Sequence, residues 1–451
     1  MTDDEFRQQF DSRTLTYIGD LEVDRRPVEL RISPQAHSPI GHALTTSLVN
    51  QLARAHKQLI VSGDLNQPLL CRSPFGHRTL ADATAGLAHA INPFIEVDLE
   101  RRPDANVLLT IGIGAQQGAD LTVGCHRWLA TFDATAEIDP HPSSIWGALY
   151  GSCLAAATTF HRSLGRHELP HGSYSLWRNG ARSDAPGPNH KGPINIGRVL
   201  QVGAGGVGSA LDYWLSLIGI QPEWLIVDGD TVAASDLNRQ LLFLAADCGY
   251  NAATPLNKAT LASSRLGGAA TPLPDWLDTD QLDHRSDVLL ALANEHGARE
   301  HLQGLQPTVL LHATTSNNWQ AQSHRHIAGR DDCIVCRIPP NTPRFTCSTG
   351  KLGETKEVDA ALPFLSATAG LLLAASLAKL ELGVLADEHV NFTGLDLSTP
   401  TPAAQLLRHK CLDGCAHRLP AAARAHIDRE SRWAYLDLDL EQTRAEQPRS
   451  S

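Results

Sequence analysis

The sequence predicts an α/β fold made of two similar domains in tandem. In the second half, the segment from Arg198 to Val227 alternates strand, tight turn, helix and strand. Strands that alternate with helices form parallel sheets. In addition, an Ala/Leu-rich helix follows strand-like sequence in each half of the chain, from Ser143 to Gly165 and from Ala360 to Gly383. This repetition indicates a degenerate internal duplication, with two unrelated helices as the alternative.

Length and composition agree with such a fold. The chain has 451 residues, 42% of them hydrophobic and 19% charged, which suits two or three globular domains. The net charge of −11 argues against a nucleic-acid partner, because phosphate binding requires a basic face. The beginning, MTDDEFRQQF, lacks the blocks of a signal peptide, so we expect a cytoplasmic location. Pro363 and Lys379 interrupt the second Ala/Leu-rich segment, which we expect to be buried rather than to cross a membrane.

Changes in composition divide the chain into four parts. Residues 1–165 form the first domain, and residues 166–197, rich in Gly, Pro, Asn and Ser, are expected to form a linker or long loop. Residues 198–415 form the second domain. The polar residues 416–451 form a C-terminal tail that is too short for a domain of usual size.

The second domain begins with a glycine-rich turn of the pattern G-x-G-x-x-G. Gly203, Gly205 and Gly208 lie between a strand and a helix, so the backbone and the helix N-terminus are able to approach a phosphate. Asp228 ends the next strand and is placed to accept hydrogen bonds from ribose hydroxyls. By itself the pattern fits an NAD-dependent oxidoreductase as well as an ATP-dependent enzyme.

The loop that follows favours ATP. The segment DGDTVAASDLNRQ, from Asp228 to Gln240, places Arg239 beside the glycine turn, and Lys258 follows further along the chain. A dinucleotide reductase has little use for cations there, whereas an adenylating enzyme needs them where charge shifts as pyrophosphate leaves. The alternative is that both cations are solvated.

Four of the nine cysteines are spaced like metal ligands. Cys333 and Cys336 form C-x-x-C, and Cys411 and Cys415 form C-x-x-x-C. Such pairs suit a tetrahedral structural Zn²⁺ site, with two disulfides as the alternative.

Cys347 is a candidate nucleophile. It lies in a loop bounded by Pro and Gly, between Arg344 and Lys351, and nearby cations favour the reactive thiolate. An inert loop cysteine is the alternative. We assign no chemistry to the remaining cysteines, Cys71, Cys125, Cys153 and Cys248.

In combination these motifs resemble the E1-like activating enzymes of the ThiF/MoeB/HesA superfamily. The resemblance covers roughly Arg198 to Cys415 and rests on GAGGVG, DGDTVAASDLNRQ, the following Lys, CIVC, the later Cys and CLDGC. Members adenylate the C-terminal glycine of a ubiquitin-like protein with ATP and Mg²⁺, and many then form a thioester on a cysteine. The resemblance implies two Rossmann-like adenylation-type domains. The first, which lacks the glycine pattern and the cysteine pairs, would be inactive and the second active.

The resemblance also implies roles for individual residues. The nucleotide would lie against Gly203, Gly205, Gly206, Gly208 and Asp228. The residues around the triphosphate would be Asp230, Asn238, Arg239, Gln240 and Lys258. Cys347 would form the thioester. Asn294 stands where the family has a Mg²⁺-binding Asp, and its neutral amide would bind Mg²⁺ more weakly unless Glu295 or Asp230 compensates.

The expected function is therefore activation of a ubiquitin-like protein by adenylation, thioester formation on Cys347 and transfer to an E2-like protein. The chain is similar to bacterial E1-like proteins of antiviral ubiquitin-like conjugation operons. The alternatives are a sulfur-carrier or peptide adenylyltransferase without an E2, an NAD-dependent oxidoreductase, and a non-catalytic scaffold suggested by Asn294. We expect a monomer or homodimer with neither nucleic-acid nor membrane partners. The first-half arginines that are candidates to reach ATP are Arg25, Arg26, Arg31 and Arg178.

Overall fold

The computed structural model describes residues 1–100, 105–139, 144–221, 223–251, 254–275, 286–293, 296–328, 330–337, 362–385 and 389–415. Its first half contains the helices α1 (Asp3–Ile18), α2 (Pro39–Ala55), α3 (Leu87–Ile91) and α4 (Trp146–Ser163). The strands of the first half are β1 (Val28–Ile32), β2 (Gln58–Ser62), β3 (Glu96–Asp98), β4 (Leu109–Ile113), β5 (Leu121–His126), β6 (Leu129–Phe132), β7 (Gly172–Ser175) and β8 (Ala181–Arg182).

The second half repeats this order from the first strand onward, with two additional helices. Its strands are β9 (Val199–Val202), β10 (Glu223–Val227), β11 (Ala269–Leu273), β12 (Val288–Ala291), β13 (Val309–Thr315), β14 (Gln320–Ile327), β15 (Phe392–Asp396) and β16 (Ala403–Leu407). Its helices are α5 (Gly206–Ile218), α6 (Lys258–Leu266), α7 (His296–Gly304), α8 (Ile334–Arg337) and α9 (Pro363–Glu381).

The two halves have the same sheet topology. Each forms an eight-stranded sheet, in the order β3-β2-β1-β4-β5-β6-β7-β8 or β11-β10-β9-β12-β13-β14-β15-β16. In both sheets the first five strands of this order are parallel and the remaining pairings are antiparallel. The Ala/Leu-rich helices α4 and α9 occupy the same place in each order. The predicted tandem α/β architecture is therefore confirmed, and the topology repeats as the duplication predicts.

The segment predicted as a linker differs from that prediction in part. Residues 172–182 form the hairpin of β7 and β8, and β7 pairs with β6 to extend the first sheet. Asn179 and Gly180 reverse the chain at positive φ, 57° and 82°. Gly and Asn are suited to such turns, so this part of the Gly- and Asn-rich sequence closes a hairpin instead of separating two domains.

Helices of the two halves pack against each other between the sheets. α9 contacts α4 and α2 of the first half as well as α5 of its own half. At Gly370 a Cβ atom would lie 2.7 Å from the backbone N of Leu211, so glycine allows α9 and α5 to approach closely. α9 is long and apolar enough to cross a membrane, but 94% of its apolar window is buried inside the protein. The expectation of a buried core helix is met.

Candidate functional site

The glycine turn after β9 holds the end of a strand close to the beginning of a helix. Gly203 has φ of 105°, and a Cβ atom there would lie 2.7 Å from the backbone N of Ala293. A Cβ atom on Gly208 would lie 2.3 Å from the carbonyl O of Gly203. At Gly205, in contrast, no atom of the described residues other than its chain neighbours lies within 4 Å of the Cβ position. The turn is thus tightly packed on one side and open at Gly205, beside the N-terminus of α5, where a phosphate could be bound.

A buried polar network lies beneath this turn. The Gln201 side-chain amide donates to the carbonyl of Gly203 at 3.2 Å and to Asp212 at 3.0 Å, and it accepts from the Trp224 indole at 3.0 Å. Asp212, on α5, is fully buried, and burial raises its pKa to about 8. The protonated acid avoids an uncompensated buried charge at neutral pH.

Asp228 connects the glycine turn to the next loop at the carboxyl ends of β9 and β10. One carboxylate oxygen accepts from the backbone N–H of Ala204 at 2.6 Å, and the other accepts from the N–H of Asp230 at 2.9 Å. Burial raises the pKa of Asp228, while Lys258 lowers it. The carboxylate therefore sits where ribose binding is predicted, and it also fixes two backbone segments of the site.

Lys258 and Arg239 are brought together by a third residue, Asp236. The Lys258 ammonium lies 3.2 Å from Asp236 and 3.4 Å from Asp230, and Arg239 lies 3.1 Å from the other oxygen of Asp236. All except Asp230 are largely buried, with side-chain exposures of 7% for Lys258, 14% for Arg239 and 9% for Asp236. The two cations are therefore held in ion pairs, unlike the solvated cations of the alternative interpretation.

The charges of this cluster support one another. Burial alone would raise the pKa of Asp236, but Lys258 and Arg239 hold it below the ordinary value. Burial would likewise lower the pKa of Lys258, but Asp236, Asp228 and Asp230 raise it. Lys258 and Asp236 are therefore charged at neutral pH. Arg239 lies beside the turn, with its Cγ and Cδ 3.7 Å from the Cβ position of Gly206.

Asp236 was missed by sequence reasoning, although a local signal exists. It lies three residues before Arg239, a spacing that suits an ion pair within a turn. Its carboxylate also caps the short turn by accepting a hydrogen bond from the backbone N–H of Ala233 at 3.1 Å. Asn257 is a second missed residue. Its side chain caps α6 and also donates to the backbone carbonyls of Asp228 and Asp230, at 2.9 and 3.1 Å.

Residues of the first half line this loop as well. The side-chain amide of Asn238 donates a hydrogen bond to the hydroxyl of Thr14 on α1 at 3.2 Å. The side chain of Gln240 is 1% exposed, and its oxygen has no hydrogen-bond partner among the described residues. The buried Arg54 of α2, which sequence reasoning missed, donates to backbone carbonyls of residues 237–243. The loop is thus enclosed by both halves.

The candidate first-half arginines have other surroundings. Arg26 pairs with Asp24 at 2.7 Å, and Arg31 pairs with Glu29 at 2.7 Å on the first sheet. Arg25 and Arg178 are exposed. Arg54 is the arginine whose contacts place it against the predicted nucleotide loop.

The equivalent positions of the first half retain the loop but not its cation. After β2 the chain reads Asp64-Leu-Asn-Gln67, and after β10 it reads Asp236-Leu-Asn-Arg239. Gln67 donates to Asp64 at 2.5 Å, which repeats the spacing of the Arg239–Asp236 pair without a charge. After β1, a 3₁₀ turn over Pro34–Ala36 replaces the glycine turn. These differences agree with the prediction that the first half is inactive.

The four cysteines of the two predicted pairs meet in space. The sulfur atoms of Cys333, Cys336, Cys411 and Cys415 all lie within 4.8 Å of one another. Burial raises the pKa of Cys411 to about 11, so a cation is required to hold the Cys411 sulfur as a thiolate at neutral pH. The cluster fits a tetrahedral Zn²⁺ ion. Cys347, Asn294 and Glu295 lie outside the described residues.

A second buried group contains His312, His324 and His326, whose ring nitrogens lie within 4.8 Å of one another. Arg337 approaches Nδ1 of His324 at 3.0 Å, and a guanidinium only donates. The neutral His324 ring therefore carries its hydrogen on Nε2, which prevents ligation by either nitrogen in this arrangement. Burial holds the pKa of His312 and His324 well below the ordinary value, so both rings are neutral.

The first prediction concerns the buried acid beneath the turn. Because folding raises the pKa of Asp212 to about 8, the folded state retains a proton that the unfolded chain releases near pH 4. Stability from this group is therefore lost as pH rises from about 4 to about 8. Asp212→Asn should gain stability relative to wild type over that window, on the order of 5 kcal/mol at pH 8.

Urea unfolding measures this effect, and the difference between the two proteins should change by about 4 kcal/mol between pH 5 and pH 8. The exposed Asp184→Asn is the control. If the difference in free energy of unfolding between wild type and Asp212→Asn were the same at both pH values, the raised pKa of Asp212 would be contradicted.

The second prediction concerns the metal. We expect about one Zn²⁺ per purified chain, since four thiolates saturate a tetrahedral site. Cys411→Ser should reduce both the zinc content and the melting temperature. Elemental analysis and thermal unfolding measure these, with Cys71→Ser, a thiol outside the cluster, as control. Equal zinc content in Cys411→Ser and wild type would refute the site.

Comparison with known proteins identifies the second half. The sequence profile of the ThiF family matches residues 189–413. No curated protein sequence matches the chain significantly. Solved structures that are similar include E. coli MccB with ATP, at 16% identity and a TM-score of 0.37, covering 58% of this chain and 72% of MccB.

E. coli MccB with selenomethionine MccA has 16% identity and a TM-score of 0.38, covering 49% of this chain and 66% of that one. PaaA has 16% identity and a TM-score of 0.34, and the match covers 47% of this chain and 64% of PaaA. The glycine turn, the Asp236 cluster and three of the four clustered cysteines lie within the matched residues, and Cys415 lies two residues beyond them. Residues 189–413 thus belong to the ThiF family.

Proposed function

We propose that this chain activates the C-terminal carboxylate of a ubiquitin-like protein by transferring AMP to it from ATP. The ThiF-family domain supports the general class, an ATP-dependent adenylyltransferase. The observation that carries the proposal is the buried cation cluster around Asp236, which lies beside a glycine turn that is open at Gly205. An oxidoreductase that binds NAD has no need for two buried cations at this position.

In this proposal the protein acts mainly by binding and electrostatics. The open turn and the N-terminus of α5 bind phosphates, and Asp228 binds the ribose. The substrate carboxylate attacks the α-phosphorus, the acyl-phosphate bond forms and the bond to pyrophosphate breaks. Arg239 and Lys258 stabilise the charge that moves onto the leaving pyrophosphate, and Asp236 holds both cations in place before the reaction begins.

Mg²⁺ has an oxygen ligand available at this site. The carboxylate of Asp230 is 38% exposed and contacts Lys258 only at 3.4 Å, so it retains lone pairs for a cation. Asp230 would hold the ion, together with Asn294 as a neutral ligand. When bound, Mg²⁺ neutralises charge on the phosphates.

The proposal continues with a thioester on Cys347. The Cys347 thiolate attacks the carbonyl carbon of the acyl-adenylate, a thioester forms and AMP leaves. The acyl group then passes to a cysteine of an E2-like protein. The support for these steps is the motif resemblance, as it is for a role in antiviral conjugation. The proposed cytoplasmic location rests on the start of the sequence, MTDDEFRQQF, which lacks the blocks of a signal peptide.

The third prediction tests adenylation. With ATP, Mg²⁺ and the ubiquitin-like proteins or peptides encoded beside its gene, the protein should catalyse exchange of labelled pyrophosphate into ATP. Arg239→Met and Lys258→Met should each lower exchange by about 10²–10³-fold, because a preorganised cation is lost. Lys191→Met, in an exposed loop, is the control.

Absence of exchange with every substrate would overturn adenylation and favour the scaffold alternative. Thermal stabilisation by NADH in preference to ATP would favour the oxidoreductase instead.

The fourth prediction tests the thioester. Cys347→Ala should retain pyrophosphate exchange but lose the reductant-sensitive adduct with the substrate protein, as seen by non-reducing electrophoresis. Cys71→Ser should retain both. Exchange without any adduct in wild type would indicate the alternative, an adenylyltransferase that works without an E2.

A further inference from the structure

Arg54 crosses from the first half of the chain into the predicted triphosphate loop of the second. It lies on α2 and is 1% exposed. Its guanidinium donates to the carbonyls of Leu237, of Leu241 at 2.9 Å and of Phe243 at 3.0 Å. Asn50, one turn earlier, accepts from Nε of Arg54 at 2.9 Å and itself donates to Leu241 at 3.0 Å.

These partners are unusual for a buried arginine. Its described hydrogen bonds go to backbone carbonyls and to an amide, and burial lowers its pKa to about 9. Burying a cation costs free energy unless its donors are bonded. In return, a planar guanidinium holds several acceptors in a fixed arrangement, which a flexible or apolar side chain does not.

The carbonyls that accept from Arg54 lie on both sides of the residues predicted to contact the triphosphate. Leu237 precedes Asn238, Arg239 and Gln240, and Leu241 follows them. The segment consists of turns, so its carbonyls lack the partners that a helix or sheet would supply. Arg54 and Asn50 therefore fix the backbone on both sides of Arg239.

We propose that Arg54 is a positioning residue for catalysis, and that the first half acts through it to set the position of Arg239. This inference rests on the proposed adenylation. The first half carries Gln67 where the second carries Arg239, so it lacks the corresponding cation of its own. Its contribution is a rigid helix whose arginine orders the loop of its neighbour.

The experiment is a double-mutant cycle between Arg54 and Arg239. In pyrophosphate exchange, Arg54→Met should lower kcat at least tenfold with a smaller change in the KM for ATP. If Arg54 acts through Arg239, adding Arg54→Met to Arg239→Met should cause little further loss. Effects that multiply in the double variant would overturn the proposal.

An exposed arginine elsewhere between the halves provides a control. Arg166 of the first half also donates to a backbone carbonyl of the second, that of Ser398, away from the loop. Arg166→Met should leave kcat unchanged. An equal loss in Arg166→Met and Arg54→Met would indicate a general effect on packing of the halves and overturn the positioning role.

A readout without substrate separates this inference from the proposed function. In hydrogen–deuterium exchange, Arg54→Met should accelerate exchange of residues 236–243, whereas Arg166→Met should not. Unchanged exchange would overturn the positioning role even if adenylation is found. Accelerated exchange in a protein without adenylation would contradict the proposed function and the catalytic part of this inference, and would support only the ordering of the loop by Arg54. If Arg54→Met does not fold, Arg54→Lys, which keeps a buried cation with a different donor geometry, is measured instead.

Discussion

The carboxylate of Asp236 is the constraint on which the arrangement of the site depends. One of its oxygens pairs with Arg239 and the other with Lys258, and all three side chains are largely removed from water. Removing one partner of a buried ion pair typically costs about 3–5 kcal/mol, because the remaining charge is left uncompensated. The loop that carries Arg239 and the start of α6 are therefore joined by a single acid.

Backbone contacts support the same junction. Asn257 caps the helix that begins with Lys258 and bonds the carbonyls of Asp228 and Asp230. Asp228 in turn accepts from Ala204 within the glycine turn. The turn, the acidic loop and the start of α6 are thus one connected unit, and a shift in any of them would move the cations relative to the bound phosphates.

The repeated topology explains how one chain completes such a site. The helices α4 and α9 pack against each other between two sheets of identical order, which places the first half against the second. From this position α1 supplies Thr14 and α2 supplies Arg54 to the loop of the second half. The first half lacks the glycine turn and the loop arginine at the equivalent positions, whereas its Thr14 and Arg54 contact the loop of the second half.

The sequence by itself determined the features that depend on local spacing. The glycine turn, the C-x-x-C and C-x-x-x-C pairs and the Ala/Leu-rich helices are recognisable because turn geometry, metal ligation and helix burial each require particular residues at short intervals. The tertiary structure decided the rest. Arg54 meets Leu237 across 183 residues, and Asp236, which lies three residues before Arg239, is joined to Lys258 only in the folded structure. The β7–β8 hairpin was likewise hidden, because Gly and Asn occur in linkers and in tight turns alike, and only pairing with β6 distinguishes the two. Long-range partners leave no period or spacing in the sequence, since they are set by how the two sheets and their helices pack.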